Sequence, residues 1–336
     1  MRAAWYRRTG DAADVLEVGD LSDRTISDLP PGHVAVRVHA SGVNPADVKR
    51  RAGWGGAAMA HELVVPHADG AGIVDAVGAG VPSSRVGRRV WIRNGQGGYG
   101  EAGRAFGTAA QTITLPADQV FDLPDTLGFA EGACLGIPAL TAYHAVFADG
   151  PVTGKTVLVT GAAGAVGHFA AQFAVEDGAR VIATVSSEDK AAHVHRVGVD
   201  DIVFRHDEDV ADRVAALTGG AGVDRVVEVD FGANLEDTRR ILKPGAVIAA
   251  YSSTGVPEPV LPYYAFAFRG ATLRFIQGFL LPPDVVEAGV ARINRMHAHG
   301  SLEIAIAGRF SLDDIAAAHR LVESGAAIGN VVVDID

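Results

Sequence analysis

The run GAAGAVG, Gly161 to Gly167, constrains this chain more than any other stretch. It follows the β-type run Thr156–Thr160 and opens the segment Ala165–Asp177. There Val166, Phe169, Ala170 and Phe173 recur at helical spacing. Gly161 suits a tight turn, Gly164 lets backbone approach a pyrophosphate, and Gly167 permits close helix–sheet packing. The helix N-terminus adds free N–H groups and a dipole favourable to an anion. A glycine pattern alone says little. In a strand–turn–helix setting it reads as a dinucleotide-binding loop rather than a plain connection.

Beyond this loop, buried strands go on alternating with helices. Arg180–Val185, Asp201–Phe204, Arg225–Val229 and Ala246–Ala250 are apolar on both faces, and Glu188–Val197 reads as a helix between two of them. That pattern predicts a parallel sheet covered on both faces. Leu273–Phe279 reads as its last strand and a potential pairing edge. Pro282 and Pro283 open a helix to about His299. Ser311–Glu323 is a further helix with Ser311 as N-cap, and Asn330–Ile335 is a closing strand. Before Leu123 the chain differs. Val34–Ala40, Gly72–Val77, Arg89–Arg93 and Ala110–Leu115 are short strands between glycines and prolines, as in a small β-rich barrel. A length of 336 residues supports two domains. The boundaries expected are 1–124 with 282–336, and 125–281.

A net charge of −11 disfavours binding to nucleic acid. Cys134 is the one cysteine, so neither an internal disulfide nor a multi-cysteine zinc site is available; a reducing cytoplasm is expected. The apolar stretch Ala133–Ala148 contains it. That stretch is too short to span a bilayer and is interrupted by Pro138 and His144. No signal-peptide pattern follows Arg7 and Arg8.

Two other features invite functional readings. His61, Glu62 and His67 have HExxxxH spacing, which does not place two histidines on one helical face, and Pro66 intervenes; solvated loop histidines are expected. The segment Asn94–Gly107 holds six glycines, with Tyr99 and Phe106, but no lysine placed for phosphate. A mobile surface loop bordering a cleft is expected.

Taken end to end, the chain resembles the zinc-independent branch of the medium-chain dehydrogenase/reductase superfamily, most closely the quinone oxidoreductase (zeta-crystallin-like) group. The resemblance lies in SGVNPAD from Ser41 to Asp47, DGAGIVDAVG from Asp69 to Gly78, GIPALTAY from Gly136 to Tyr143, the Gly161–Gly167 loop, and Gly325–Val332. It implies an α/β fold, with a GroES-like β-rich catalytic domain and a doubly wound Rossmann domain that binds NADPH. Where the zinc branch has Gly-His-Glu, this chain has His67, Ala68 and Asp69, and Asn44 stands in place of a catalytic cysteine. No metal is implied.

The resemblance also assigns residues. Asn44 and Thr141 would lie near the nicotinamide, with Lys49 where the group often has tyrosine and Asn330 where it often has lysine. Ala163, Gly164, Ala165 and Val166 would line the pyrophosphate. Ser186, Lys190 and Arg205 would surround the adenosine ribose phosphate. Gly232, Ala250, Tyr251, Ser252, Ser253, Ile276, Gln277 and Gly278 would wall the remainder. Bland readings stand beside these: Asn44 precedes Pro45 and can merely start a turn, and Thr141 can bond its own helix backbone. The activity expected is NADPH-dependent hydride transfer to a quinone or related conjugated carbonyl, with Asn44 orienting, in a cytoplasmic dimer or tetramer. The alternatives are a 2-alkenal or enone double-bond reductase, and a non-catalytic NADPH-binding structural protein.

Overall fold

The computed structural model describes residues 1–21, 29–56, 58–98 and 103–335. The chain forms two compact units, Met1–Ile137 with Ile304–Asp336, and Pro138–Glu303.

The first unit contains strands β1 (Arg2–Trp5), β2 (Glu17–Asp20), β3 (His33–Val43), β4 (Asp69–Val77), β5 (Arg89–Ile92), β6 (Thr112–Pro116) and β7 (Val120–Asp122). Two strands at the far end of the chain, β14 (Ile306–Ser311) and β15 (Asn330–Asp334), complete it. β1 and β2 form a two-stranded antiparallel sheet, and the larger sheet runs β14-β15-β3-β4-β5-β7, with β6 also paired to β3. The alternation anticipated in β3 is present: Val34, Val36 and Val38 enter a core with Val74, Val90, Ile113 and Leu115, while Arg37 faces solvent. Strand β15 pairs antiparallel with β3 through Val331↔Val43 and Val333↔Ser41, so the chain's end closes this sheet.

The second unit is a parallel sheet of β8 (Thr156–Val159), β9 (Arg180–Val185), β10 (Asp201–Phe204), β11 (Val223–Glu228), β12 (Leu242–Ala250) and β13 (Thr272–Phe275). Its order is β10-β9-β8-β11-β12-β13, so the direction of progression reverses between β8 and β11. The glycine loop leaves β8 at this switch point. The last strand is shorter than expected and ends at Phe275; Gly278–Leu280 is a 3₁₀ turn. The helix Pro283–Ala298 packs within this unit. Gly289 lies against Leu140 and Tyr143, and Arg292 pairs with Glu176 and Asp177. The unit boundary thus falls at Glu303/Ile304, beyond the expected 282, because this helix packs on the helices Leu140–Phe147 and Ala165–Glu176 of the same unit.

The stretch around Cys134 is a short helix, a π-helical turn at Leu135–Ala139 and the helix Leu140–Phe147. Among the described residues, no helix is long and apolar enough to cross a membrane. Cys134 is buried, and burial pushes its thiol up, away from a nucleophilic thiolate.

Candidate functional site

In the second unit, most of the residues assigned by sequence lie at the C-terminal edge of the parallel sheet. In spatial order they are Arg205 after β10, Ser186 after β9, the Gly161–Gly167 loop after β8, Gly232 beyond β11, Ala250–Ser253 at the end of β12, and Ile276–Gly278 after β13. With neighbouring strands about 4.8 Å apart, the row extends about 24 Å. That is long enough for an extended dinucleotide.

The loop is shaped as its glycines imply. Gly161 has φ +62°, in the left-handed region. A Cβ on Gly167 would sit 2.4 Å from the Gly161 carbonyl oxygen, so the helix Ala165–Glu176 rests directly on the loop. A Cβ on Gly164 would meet only that same oxygen, at 3.4 Å, which leaves the space in front open. Gly164 is the N-cap and offers no side chain to the first-turn N–H groups, so they are available to an anion.

Lys190, Ser186 and Arg205 converge at one end of the row. Lys190 Nζ donates to Ser186 Oγ at 3.1 Å, and the Arg205 backbone N–H bonds the carbonyl of Val185 at 3.0 Å, one residue before Ser186. Burial and then Arg205 hold the Lys190 ammonium below its ordinary range. A dianion placed here would relieve that repulsion. Glu188 and Asp189 are exposed in the first turn of the next helix, as anticipated.

Thr141 occupies the helix Leu140–Phe147. Its Oγ1 is buried and has no hydrogen-bond partner, contrary to the reading that it bonds its own backbone. This orphaned hydroxyl, the uncapped helix end and the paired cations fit the phosphates and amide of NADPH. Other assigned residues have partners of their own. Ser253 Oγ accepts from the Gly232 N–H at 3.0 Å and donates to the Val256 carbonyl at 2.6 Å. Gly232 is required by packing, because a Cβ there would lie 2.1 Å from that carbonyl oxygen. Burial, and then Glu228, pushes the Tyr251 hydroxyl up, so it stays a phenol.

Sequence reasoning missed Glu228. It ends β11 fully buried, and its Oε1 accepts from Thr160 Oγ1, the Asp230 N–H and Asn234 Nδ2 at 3.0, 2.6 and 2.7 Å. It thereby ties the end of β8 to the loop after β11. The only local signal is an acid closing the apolar run VDRVVE.

In the first unit, Asn44 joins β3 to the helix Pro45–Ala52 and is 5% exposed. Two buried acids hold it. Its backbone N–H donates to Asp47 Oδ2 at 2.8 Å, and its side-chain Nδ2 donates to Asp69 Oδ2 at 2.7 Å. The Ile137 N–H donates to the same Asp69 oxygen at 2.8 Å. Burial pushes Asp47 up to about 6 and Asp69 up to about 7, against the bonds from Asn44.

A carboxyl raised in this way stabilises the fold only while protonated. Its contribution is complete below the ordinary value of 3.8 and is lost as pH rises through about 7. Asp69→Asn keeps an acceptor but does not titrate. Relative to wild type, its urea-unfolding stability is therefore expected to rise by about 2–3 kcal/mol between pH 5 and pH 8. A pH-independent difference would show that Asp69 is not raised.

Beneath Asp69 lies a buried chain of donors and acceptors. Thr108 Oγ1 donates to the Asp69 carbonyl at 2.5 Å. Ser41 Oγ, 2.7 Å from Thr108 Oγ1, must then donate to it and accept from His67 Nδ1–H at 2.8 Å. His67 Nε2 in turn accepts from His319 Nε2–H at 2.9 Å. The expectation that His67 is a solvated loop residue is thus overturned. It is fully buried, and its φ of +77° turns the side chain inward, at the position where the zinc branch carries glycine. His61 is the more exposed of the pair, bonding the Gly103 carbonyl at 2.8 Å.

The glycine-rich segment Asn94–Gly107 also differs from expectation where it is described. Asn94 and Gln96 are buried, Arg50 bonds Gln96 Oε1 at 2.7 Å and the Gly98 carbonyl at 2.6 Å, and Arg104 bonds the Gly95 carbonyl at 2.7 Å. These guanidinium contacts pin both limbs, which are not an outer loop. Tyr99 and the rest of 99–102 lie outside the described residues. Lys49 stands 4.9 Å over the Trp54 ring. Asn330 uses both its backbone N–H and its Nδ2 on the Ala305 carbonyl, at 2.8 and 3.0 Å, and so serves β15 directly.

Comparison with known proteins places this geometry in context. Residues 30–125 match the alcohol dehydrogenase GroES-like domain, and residues 165–293 match the zinc-binding dehydrogenase model. The quinone oxidoreductase of Rattus norvegicus is 33% identical over 245 residues, covering 72% of this chain and 71% of that protein. An NAD-dependent alcohol dehydrogenase of known structure is 30% identical, with a TM-score of 0.86 and both chains covered in full. A mycobacterial protein solved in complex with NADPH is 27% identical, also with full coverage of both chains and a TM-score of 0.86.

Proposed function

The chain belongs to the quinone oxidoreductase (zeta-crystallin-like) group of the medium-chain dehydrogenase/reductase superfamily, and on that footing we propose that it is an NADPH-dependent reductase of quinones or related conjugated carbonyls, working without metal. The observation that carries the cofactor assignment is the convergence of Lys190, Ser186 and Arg205, with the nearby acids Glu188 and Asp189 exposed in the following helical turn. The NADPH-bound mycobacterial relative supports it. Metal-free chemistry is supported by the donor set: Ala68 has no ligand atom, and Asn44 brings an amide already bonded to Asp69.

NADPH, when bound, supplies a hydride. The open face at Gly164 and the helix N-terminus hold the pyrophosphate, Lys190 and Arg205 hold the 2′-phosphate, and Thr141 Oγ1 takes a hydrogen bond from or to the nicotinamide end. The Asn44 carboxamide orients the acceptor or the nicotinamide. In a conjugated acceptor the incoming charge delocalises onto oxygen, so the Lewis acid that alcohol oxidation requires is dispensable, and solvent supplies the proton. Steady-state assays with NADPH and NADH against quinones, 2-alkenals and simple alcohols test this reading. Turnover of quinones with NADPH is expected; activity on alcohols alone would sink it.

The apolar surface beside the last strand supports self-association. β13 is an edge of its sheet, and Phe268, Phe275 and Leu280 are 86%, 75% and 75% exposed around it. A dimer or larger homo-oligomer is expected at micromolar concentration, and Phe268→Glu/Phe275→Glu is expected to sediment as monomer. A wild type that is itself monomeric would count against this assembly. The buried, unpaired Cys134 thiol supports residence in a reducing cytoplasm.

A further inference from the structure

We propose that Asp69 is the positioning residue for Asn44, its carboxyl oxygen Oδ2 fixing which edge of the Asn44 carboxamide faces the reacting groups. The inference rests on the role given to Asn44 above.

Three observations carry it. Asp69 Oδ2 accepts from Asn44 Nδ2 at 2.7 Å and from the Ile137 N–H at 2.8 Å, so this oxygen faces Asn44 as an acceptor, and any proton on the carboxyl resides on Oδ1. The amide therefore cannot exchange its oxygen and nitrogen without losing the bond. The acceptor is itself immobile. Asp69 is fully buried, the Ile137 N–H holds the same oxygen at 2.8 Å, and the carboxyl lies against Gly136, where a Cβ would sit 2.1 Å from Oδ1. Finally, Asn44 is anchored at its backbone by Asp47, so side chain and main chain are held by different acids. A side chain bonded at its amide nitrogen and anchored at its backbone presents one fixed pattern of donor and acceptor, and a polar group held in place before reaction contributes most where charge develops. The Thr108 and Ser41 bonds tie the Asp69 backbone carbonyl to the buried His67 and so fix the strand start that carries the carboxyl.

The test is a double-mutant cycle on kcat, with NADPH affinity as control. Asn44→Ala and Asp69→Ala are each expected to lower kcat about tenfold or more, while NADPH affinity, which in the proposed assignment rests chiefly on the Gly164 loop, Lys190 and Arg205, changes less than about threefold. Asp69→Asn keeps an acceptor and recovers most of that loss. In the Asn44→Ala background, Asp69→Ala costs nothing further in kcat. Full kcat in Asp69→Ala, or a further loss in the double variant, overturns the inference while leaving the role of Asn44 intact. Full kcat in Asn44→Ala overturns both. Because Asp69→Ala removes a buried group, wild-type protein provides a second arm. One Asn44 Nδ2 proton is expected to exchange slowly in NMR spectra, and exchange of both protons at the solvent rate contradicts the clamp.

Discussion

In the Lys190→Ala/Arg205→Ala double variant, NADPH is expected to bind about a hundredfold or more weakly, with NADH binding nearly unchanged. Each charge-assisted hydrogen bond to the 2′-phosphate is worth roughly 1.5–3 kcal/mol, and two are removed. The contrast between the cofactors matters more than the size of either effect. In the proposed assignment Lys190 and Arg205 act on the one phosphate that distinguishes them, whereas a general loss of structure weakens both. Lys190 is already below its ordinary range because of burial and Arg205. Dianion binding should therefore raise it, and NADPH affinity in wild type is expected to fall as pH rises into the lysine range. Equal use of NADH by wild type, or an unchanged NADPH affinity in the double variant, contradicts the assignment.

The second large effect is expected at Gly167. A methyl group there would stand 2.4 Å from the Gly161 carbonyl oxygen and 2.9 Å from the Ala162 Cα, both backbone atoms that cannot swing aside. Gly167→Ala must lift the helix Ala165–Glu176 off the loop or distort the turn. The expected result is a stability loss of about 2–3 kcal/mol and a fall in NADPH affinity of about tenfold or more. Gly164→Ala separates the two consequences. Its Cβ meets only the Gly161 oxygen at 3.4 Å, so the apoprotein should keep its stability while affinity drops through crowding of the pyrophosphate. Gly167→Ala with wild-type stability would show that the helix does not rest on the loop.

The dinucleotide-type unit was largely legible in the sequence because its signals are local. Its strands are continuous apolar runs and its loop carries three glycines in a fixed setting, so the strand ends, and with them the residues proposed to face phosphate, follow from chain order. The first unit was less so. The helix Pro45–Ala52 escaped notice because it buries Asp47 and Arg51 as well as Val48, leaving no apolar stripe to read. β14 escaped because IAGRFS exposes alternate residues and includes a glycine. The clamp on Asn44 is assembled from residues 44, 69 and 137, which no spacing rule connects. His67 looked solvent-facing because its partner, His319, lies 252 residues away. Burial of polar side chains against partners so remote in sequence is a tertiary property that periodicity does not carry.

Metal-free hydride transfer from NADPH to a conjugated acceptor makes the reaction independent of any bound ion. Its most direct test is single-turnover oxidation of NADPH by a naphthoquinone, using protein dialysed against a strong chelator and checked for bound metal by elemental analysis. The account predicts an unchanged rate with far less than one metal ion per chain. Loss of turnover on chelation, restored by zinc, would contradict it.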